Sequence, residues 1–131
     1  MDEFEKEIAQ IAELGIKNNP LRLTYEREVR ALSSLPEQLR AEGCSEEQIA
    51  RVMHNRRREL GRQFKEAAPS LFREYIYAAT AAKYGDPLGP TFEILKEKKT
   101  YAQIIESASR PIDDLDNRLT LDGFLKWYKS L

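Results

Sequence analysis

Cysteine, histidine and tryptophan occur only once each in this chain of 131 residues. The single cysteine, Cys44, cannot form an internal disulfide bond, which agrees with a reducing, cytoplasmic setting. The single histidine, His54, leaves no cluster of histidine and cysteine for a structural zinc ion, and we expect neither a metal nor a cofactor. No apolar run approaches 18 residues, so we expect no segment that spans a membrane. A disulfide scaffold, a zinc domain and a helical membrane protein are therefore excluded.

An excess of charge of one sign is also lacking. The chain has 21 basic and 22 acidic residues, and charged residues make up 33% of it. This balance does not attract the whole molecule to nucleic acid, so electrostatic binding would need a local patch. With 41% hydrophobic residues, the composition is typical of a soluble, highly charged helical protein. The acidic N-terminus lacks the apolar segment of a signal peptide, and the length fits one domain.

Strand patterns are absent, because no run alternates apolar and polar residues between turn residues. Apolar residues recur instead at intervals of three and four, which predicts helices. The longest is expected over residues 45–67, where Ser45 and Gln48 form a capping box. The next, over residues 69–84, is apolar on more than half of its circumference and is expected to be central. The sequence therefore predicts an all-α fold, a compact bundle of about six or seven helices around this central helix.

Capping residues mark the starts of other helices. Asp2 is expected to cap a first helix over residues 2–17. Thr100, with Gln103 as its reciprocal partner, is expected to open another helix, and Thr120 is expected to cap the last one. The chain is therefore helical at both ends as well as in its centre.

Glycine and proline concentrate in one stretch. Residues 83–91, Lys-Tyr-Gly-Asp-Pro-Leu-Gly-Pro-Thr, contain two glycines and two prolines within six residues. Gly85 is expected in the left-handed conformation that follows a helix end, and Pro90 is expected to start a helix over residues 90–98. Turn chemistry does not explain an acid at Asp86. We therefore expect Asp86 to form the wall of whatever site this domain has.

The helix over residues 45–67 carries a basic stripe. At 100° per residue, five basic side chains fall within about a quarter of its circumference, opposite the apolar face. Such a stripe is suited to binding a phosphate backbone. Alternatively, it is a solvated surface paired with acidic neighbours, which we favour because the net charge is near zero and no aromatic residue interleaves the stripe. The five residues are Arg51, His54, Arg58, Arg62 and Lys65.

Arg56 differs from its neighbours on this helix. Its position falls near the centre of the apolar stripe, between Met53 and Leu60, so we expect it to be buried. A buried arginine needs a carboxylate or several carbonyl groups as partners. We interpret Arg56 either as an anion-binding residue in a cleft or as half of a structural ion pair with Asp86 or Glu106.

Three other candidates carry weaker signals. His54, with Arg58 one turn later, has the base and the phosphate clamp that metal-independent nucleases require, although an exposed helical histidine is more often polar surface. Cys44 precedes a helix N-cap, which favours a thiolate, but no base is close in sequence and we interpret it as a bystander. An acidic turn resembles the exit side of a calcium loop, but it lacks both end carboxylates, and we interpret it as helix-capping. Its residues are Asp113, Asp114 and Asp116.

Three stretches share a pattern with one protein family. They are His-Asn-Arg-Arg-Arg-Glu-Leu-Gly at residues 54–61, Tyr-Gly-Asp-Pro-Leu-Gly-Pro-Thr at residues 84–91 and Ile-Ile-Glu-Ser-Ala-Ser-Arg-Pro at residues 104–111. Together they resemble a C-terminal module of bacterial polymorphic toxins, which follows secreted proteins of the Rhs or filamentous-haemagglutinin type. The resemblance covers residues 45–111, about half of the chain. It ends there, because residues 112–114 are Ile-Asp-Asp where the family continues with a pair of glycines.

The resemblance divides the single domain into N-terminal helices (residues 1–44), a module-like core (residues 45–111) and a C-terminal capped helix (residues 112–131). It implies delivery into the cytosol of a neighbouring bacterium, a cognate immunity protein as partner, and RNA or DNA as the commonest class of substrate. It assigns no catalytic residues, so the polar positions within the matching stretches are the catalytic candidates. These are Arg56, Asp86, Glu106, Ser107 and Arg110.

Two hypotheses about function follow. The first is a small all-α toxin module that acts in the cytosol of the target cell, on nucleic acid. The second is a non-catalytic helical module that binds a protein. An open cleft that holds Arg56 with Glu106 and Asp86 favours the first hypothesis, whereas a closed ion pair favours the second.

Overall fold

The computed structural model describes residues 2–14, 19–110 and 120–131. This part of the chain is predominantly helical and contains no strand, so the predicted compact all-α bundle is confirmed. None of its helices has both the length and the apolar composition needed to cross a bilayer. The elements are α1 (Glu3–Leu14), α2 (Pro20–Ala31), a 3-10 turn (Leu32–Ser34), α3 (Leu35–Ala41), α4 (Glu46–Ala67), α5 (Ser70–Tyr84), α6 (Phe92–Leu95), α7 (Tyr101–Ala108) and α8 (Leu121–Lys129).

The helices α4, α7 and α8 begin at the capping residues that the sequence predicts. At the start of α4, the Gln48 amide donates to Ser45 Oγ at 3.2 Å, and the Ser45 amide donates to Gln48 Oε1 at 2.8 Å. Thr100 and Gln103 form the same reciprocal pair at the start of α7. The hydroxyl of Thr120 caps α8. These contacts satisfy amide groups that a helix start otherwise leaves without partners.

The start of α5 is capped by a residue from a different helix. Its N-cap position is Pro69, whose side chain has no acceptor. Glu7 of α1 takes over this role, because Glu7 Oε1 accepts the Leu71 amide at 3.0 Å and the Ser70 hydroxyl at 2.6 Å. A carboxylate at this end also favours the helix dipole. The contact ties α1 to α5 across more than 60 residues of sequence.

Two hydrophobic clusters form the interior. The first joins α1, α2, α5, α8 and the end of α4. The helix that we expected to be central, α5, contributes Phe72, Tyr75 and Ile76 to this cluster only and has no buried residue after Ile76. The second joins the first half of α4 to α6 and α7. Leu60 packs against both clusters, so α4 connects the two halves of the interior, a role that the sequence does not indicate. The large side chains that are fully buried are Phe72, Phe124, Ile49, Met53, Ile76, Ile104 and Val29.

The helix α6 is shorter than predicted. We expected a helix over residues 90–98 that starts at Pro90, whereas α6 covers only Phe92–Leu95 and has Thr91 as its N-cap. The Pro90 carbonyl is not part of the helix, because it accepts a hydrogen bond from His54 on α4. A tertiary contact therefore overrides the local signal of the proline, and local propensity does not report such contacts.

Candidate functional site

The corner strap, which we define as residues 86–91, lies along the basic stripe of α4. The strap and α4 run in opposite directions, since later strap residues contact earlier residues of the helix. Three backbone carbonyls of the strap accept hydrogen bonds from side chains of the stripe. They join Lys65 Nζ to Pro87 (3.3 Å), Arg58 Nη2 to Gly89 (3.5 Å) and His54 Nε2 to Pro90 (2.7 Å).

Asp86 fixes the beginning of the strap in two ways. Its Oδ2 atom lies 3.0 Å from Nη2 of Arg58, and its Oδ1 atom accepts the Leu88 amide at 2.8 Å. The second contact is the local turn that aspartate forms with the backbone two residues later. The turn accounts for an aspartate or asparagine side chain at this position, whereas the negative charge is used in the ion pair with Arg58. The partner of Asp86 is Arg58, rather than Arg56 or Arg110.

Two glycines determine the backbone conformation at the corner. Gly85 has φ 78° and ends α5 in the left-handed conformation that the sequence predicts, and Gly89 has φ 90° within the strap. Other residues adopt such values only at a cost, because their Cβ atom meets the backbone. The two positions turn the chain so that the strap returns along α4.

His54 is half-buried between α4 and the strap. A carbonyl can only accept a hydrogen bond, so the contact with Pro90 means that Nε2 carries the proton and that Nδ1 is an acceptor. Burial lowers the pKa of His54 below its ordinary value of 6.5, and the bond to the carbonyl only partly opposes this effect. The positive charges of Arg58, Arg57 and Lys99 lower the pKa further. The imidazole is therefore neutral at pH 7.

The remaining members of the stripe also have partners within the molecule. Arg51 Nη1 lies 2.7 Å from Glu93 Oε1, and its guanidinium packs over the ring of Phe92 at 4.6 Å. Arg62 pairs with glutamates three residues before it and four residues after it on α4. The stripe thus has the geometry that helical spacing predicts, but it is a paired surface. Its role in binding a substrate stays a prediction.

Arg56 is exposed, so the prediction that it is buried is wrong. It lines an open groove of about 540 Å³ between α2 and α4. It forms no hydrogen bond or ion pair with the described residues, unlike the other arginines and the lysine of α4. Ala31, the last residue of α2, and Leu32 line the same groove. The groove is lined by Glu28, Ala31, Leu32, Arg56, Glu59, Leu60 and Gln63.

The five residues proposed as catalytic candidates do not converge. Arg56 lies at the groove and Asp86 lies in the strap, whereas Glu106 and Arg110 form an exposed pair at 3.0 Å at the end of α7. Ser107 donates to a carbonyl of its own helix. The described residues therefore form neither the cleft nor the closed ion pair that we expected around Arg56. The catalytic roles of these residues stay predictions.

Arg22 is a buried charge that sequence reasoning missed. It is only 4% exposed, and its Nε atom lies 3.2 Å from Oε1 of Glu26. Two signals were available. At 3.6 residues per turn, Arg22 projects about 20° from the apolar Val29 on α2, and Glu26 follows it at the four-residue spacing of helical ion pairs. Among the described residues, the buried arginine is thus on α2, whereas we expected one on α4.

Possible metal ligands do not cluster among the described residues. Within the described ranges, no group of three histidine, cysteine, aspartate or glutamate side chains could hold a metal ion. The acidic turn at residues 113–116 lies outside these ranges. Cys44 is half-buried beside Ser45 and packs against the second hydrophobic cluster, which agrees with a packing role.

Comparison of the chain with protein-family models, with curated proteins and with solved structures found no match. The resemblance to polymorphic toxins therefore rests only on the three sequence stretches.

Proposed function

We propose that this chain is a small helical toxin module that acts on nucleic acid in the cytosol of a bacterium. The observation that carries this proposal is one face of α4. His54 and Arg58 lie one turn apart there, and Arg57 and Lys99 are close enough to lower the pKa of the histidine. Phosphodiesters are the ligands that such a cluster of cations attracts. The resemblance to polymorphic toxins supports the same target and adds a cognate immunity protein as the expected partner.

His54 has the chemistry of a general base in these surroundings. Its lowered pKa keeps the ring neutral at pH 7, and the hydrogen bond from Nε2 to Pro90 leaves Nδ1 as the proton acceptor. A general base must be unprotonated to accept a proton, and Arg58 provides the charge-assisted hydrogen bonds that a phosphate group needs. Three further cations extend this face and would contact neighbouring phosphates. They are Arg51, Arg62 and Lys65.

Controlled expression in a bacterium tests the proposal. We expect growth arrest together with loss of RNA or DNA integrity, and we expect His54→Ala and Arg58→Gln each to restore growth. The matched control is Arg40→Gln, because Arg40 is also an arginine paired with carboxylates but lies on α3, away from this face. The control should stay toxic. Normal growth at full expression of the folded wild-type chain would contradict the proposal.

The α2–α4 groove favours a second candidate function, a non-catalytic module that binds a protein. Its apolar lining comes from Ala31, Leu32 and Leu60. Arg56 and Glu28 also line it, and neither forms an ion pair with the described residues. The partner that fits is a helix with apolar side chains and an acid opposite Arg56. This candidate predicts no toxicity. It also predicts an equimolar complex that Arg56→Glu disrupts and Arg40→Glu leaves intact, so the same expression experiment separates the two functions.

A further inference from the structure

Arg58 is poorly satisfied by the strap that covers it. Its Nε atom is buried and has no hydrogen-bond partner. Its contact with the Gly89 carbonyl is 3.5 Å long, at the limit of a hydrogen bond, so that Asp86 is its one strong partner. A buried donor without an acceptor destabilises the arrangement that buries it. A ligand that also accepts a hydrogen bond from Nε would therefore bind Arg58 more favourably than the strap does.

The strap also imitates an extended anionic chain. It presents acceptor oxygens, one of them a full carboxylate, along a face of α4 that extends about 16 Å from His54 to Lys65. Only Asp86 brings a formal charge, and the other acceptors in the strap are neutral carbonyls. Charged acceptors form shorter and stronger hydrogen bonds with guanidinium and ammonium groups than carbonyls do. A phosphodiester strand would thus be a better ligand for this face than the strap.

The ends of the strap are anchored by α5 and by hydrophobic packing, whereas its middle is held by polar contacts. At one end Gly85 terminates α5, and at the other Phe92 is 3% exposed and belongs to the second hydrophobic cluster. Gly85 at the first end and Gly89 within the strap both have positive φ. They are the positions at which the backbone can change direction most easily. Displacement of the strap would therefore leave the two hydrophobic clusters in place.

We propose that the strap occupies a phosphate-binding site centred on Arg58, and that the Asp86 carboxylate stands where a phosphodiester group of single-stranded nucleic acid binds. This inference rests on the proposed function and adds its ligand-binding step. When the strand binds, Asp86 leaves Arg58, the strap lifts, and the guanidinium offers Nε and Nη2 to one phosphate as a two-pronged contact. His54 and Lys65 exchange their carbonyl partners for neighbouring phosphates.

Binding of a short fluorescent single-stranded oligonucleotide, as DNA and as RNA, tests the site. We expect Asp86→Asn to bind about fivefold more tightly than wild type, because it removes the competing charge but keeps an oxygen for the Leu88 amide. The matched control is Glu37→Gln, which removes a carboxylate paired with Arg40 on α3 and should change the affinity by less than about twofold. Adding Arg58→Gln to Asp86→Asn should abolish the gain and reduce the salt dependence by about one phosphate contact.

Hydrogen exchange of the wild-type chain reports whether the strap moves. The Leu88 amide bonds to Asp86 Oδ1 and the Gly89 amide to the Asp86 carbonyl, so both should exchange faster when the oligonucleotide is saturating. Equal gains for Asp86→Asn and Glu37→Gln, or unchanged exchange at saturation, would overturn the proposal even if the module is toxic. Inorganic phosphate can be added at a concentration equal to that of the phosphate groups in the oligonucleotide. If it displaces the oligonucleotide, the assignment to a strand is overturned. If the affinities and the hydrogen exchange change as expected but the chain is not toxic, only the proposed function is contradicted.

Discussion

At the scale of single residues, His54 links the strap to the pH dependence of stability. Burial and the charges of Arg58, Arg57 and Lys99 lower its pKa in the folded protein. The unfolded chain, in which the pKa is about 6.5, therefore binds the proton more readily than the folded protein does. The stability that this residue contributes is fully present above pH 6.5 and is lost as the pH falls below it.

We expect His54→Gln to flatten this dependence. The glutamine amide can still donate to the Pro90 carbonyl, but it does not titrate. Urea unfolding between about pH 7.5 and 5.5 should show a steeper loss of stability in wild type, by at most about 1.4 kcal/mol per pH unit. NMR titration of the imidazole checks the pKa directly. Parallel curves for the two proteins would show that His54 is not the group responsible.

Two arginines show what helical spacing predicts about a single residue and what it does not. Spacing indicates the direction of a side chain, and for the basic stripe this direction is correct. It does not indicate how far a neighbouring helix extends. By its spacing Arg56 lies toward the apolar side of α4, but it is exposed and lines the groove between α2 and α4. Arg22 lies on the same face of α2 as Val29, and it is buried there.

At the scale of one element, α5 depends on α1 for its first turn. Glu7 accepts hydrogen bonds from the Leu71 amide and the Ser70 hydroxyl, where Pro69 offers no side-chain acceptor. We expect Glu7→Ala to lower the free energy of unfolding by about 0.5–2 kcal/mol, the range for a lost N-cap. Denaturant unfolding at neutral pH measures this change.

Two variants separate the cap from the charge. Glu7→Gln keeps an acceptor oxygen and should lose less stability than Glu7→Ala, because only the interaction with the helix dipole disappears. Glu3→Ala removes an exposed carboxylate of the same helix, 3.8 Å from Lys6, and should change stability by at most about 0.5 kcal/mol. Equal effects of Glu7→Ala and Glu3→Ala would rule out the tertiary cap.

The same elements mark where local sequence signals end. The capping boxes of α4 and α7 were predictable, since both partners lie within four residues. The cap of α5 was not, because its acceptor is more than 60 residues away in sequence. The short α6 has the same origin, since Pro90 bonds to His54 on another helix. Hydrogen bonds within one helical turn could therefore be predicted from the sequence, whereas contacts between helices could not.

At the scale of the whole molecule, α4 joins two hydrophobic clusters into one interior. Its first half supplies Ile49 and Met53 to the second cluster, its end supplies Phe64 to the first, and Leu60 packs against both. A continuous helix cannot lose one half of its packing without loss to the other, because helix formation is cooperative. The two clusters are therefore expected to unfold together.

Met53→Ala tests this coupling. Met53 is fully buried in the second cluster, and its truncation should cost about 2–5 kcal/mol. Native-state hydrogen exchange should then show the same loss of protection at the slowest amides around Phe72 in the first cluster as at those around Ile104 in the second. The conservative control, Met53→Leu, preserves the volume and should cost less than about 1.5 kcal/mol. Loss confined to the amides around Ile104 would mean that the strap, α6 and α7 open as a separate unit. Strand binding could then expose the whole second cluster instead of lifting the strap alone, so this measurement also bounds the motion that the phosphate site requires.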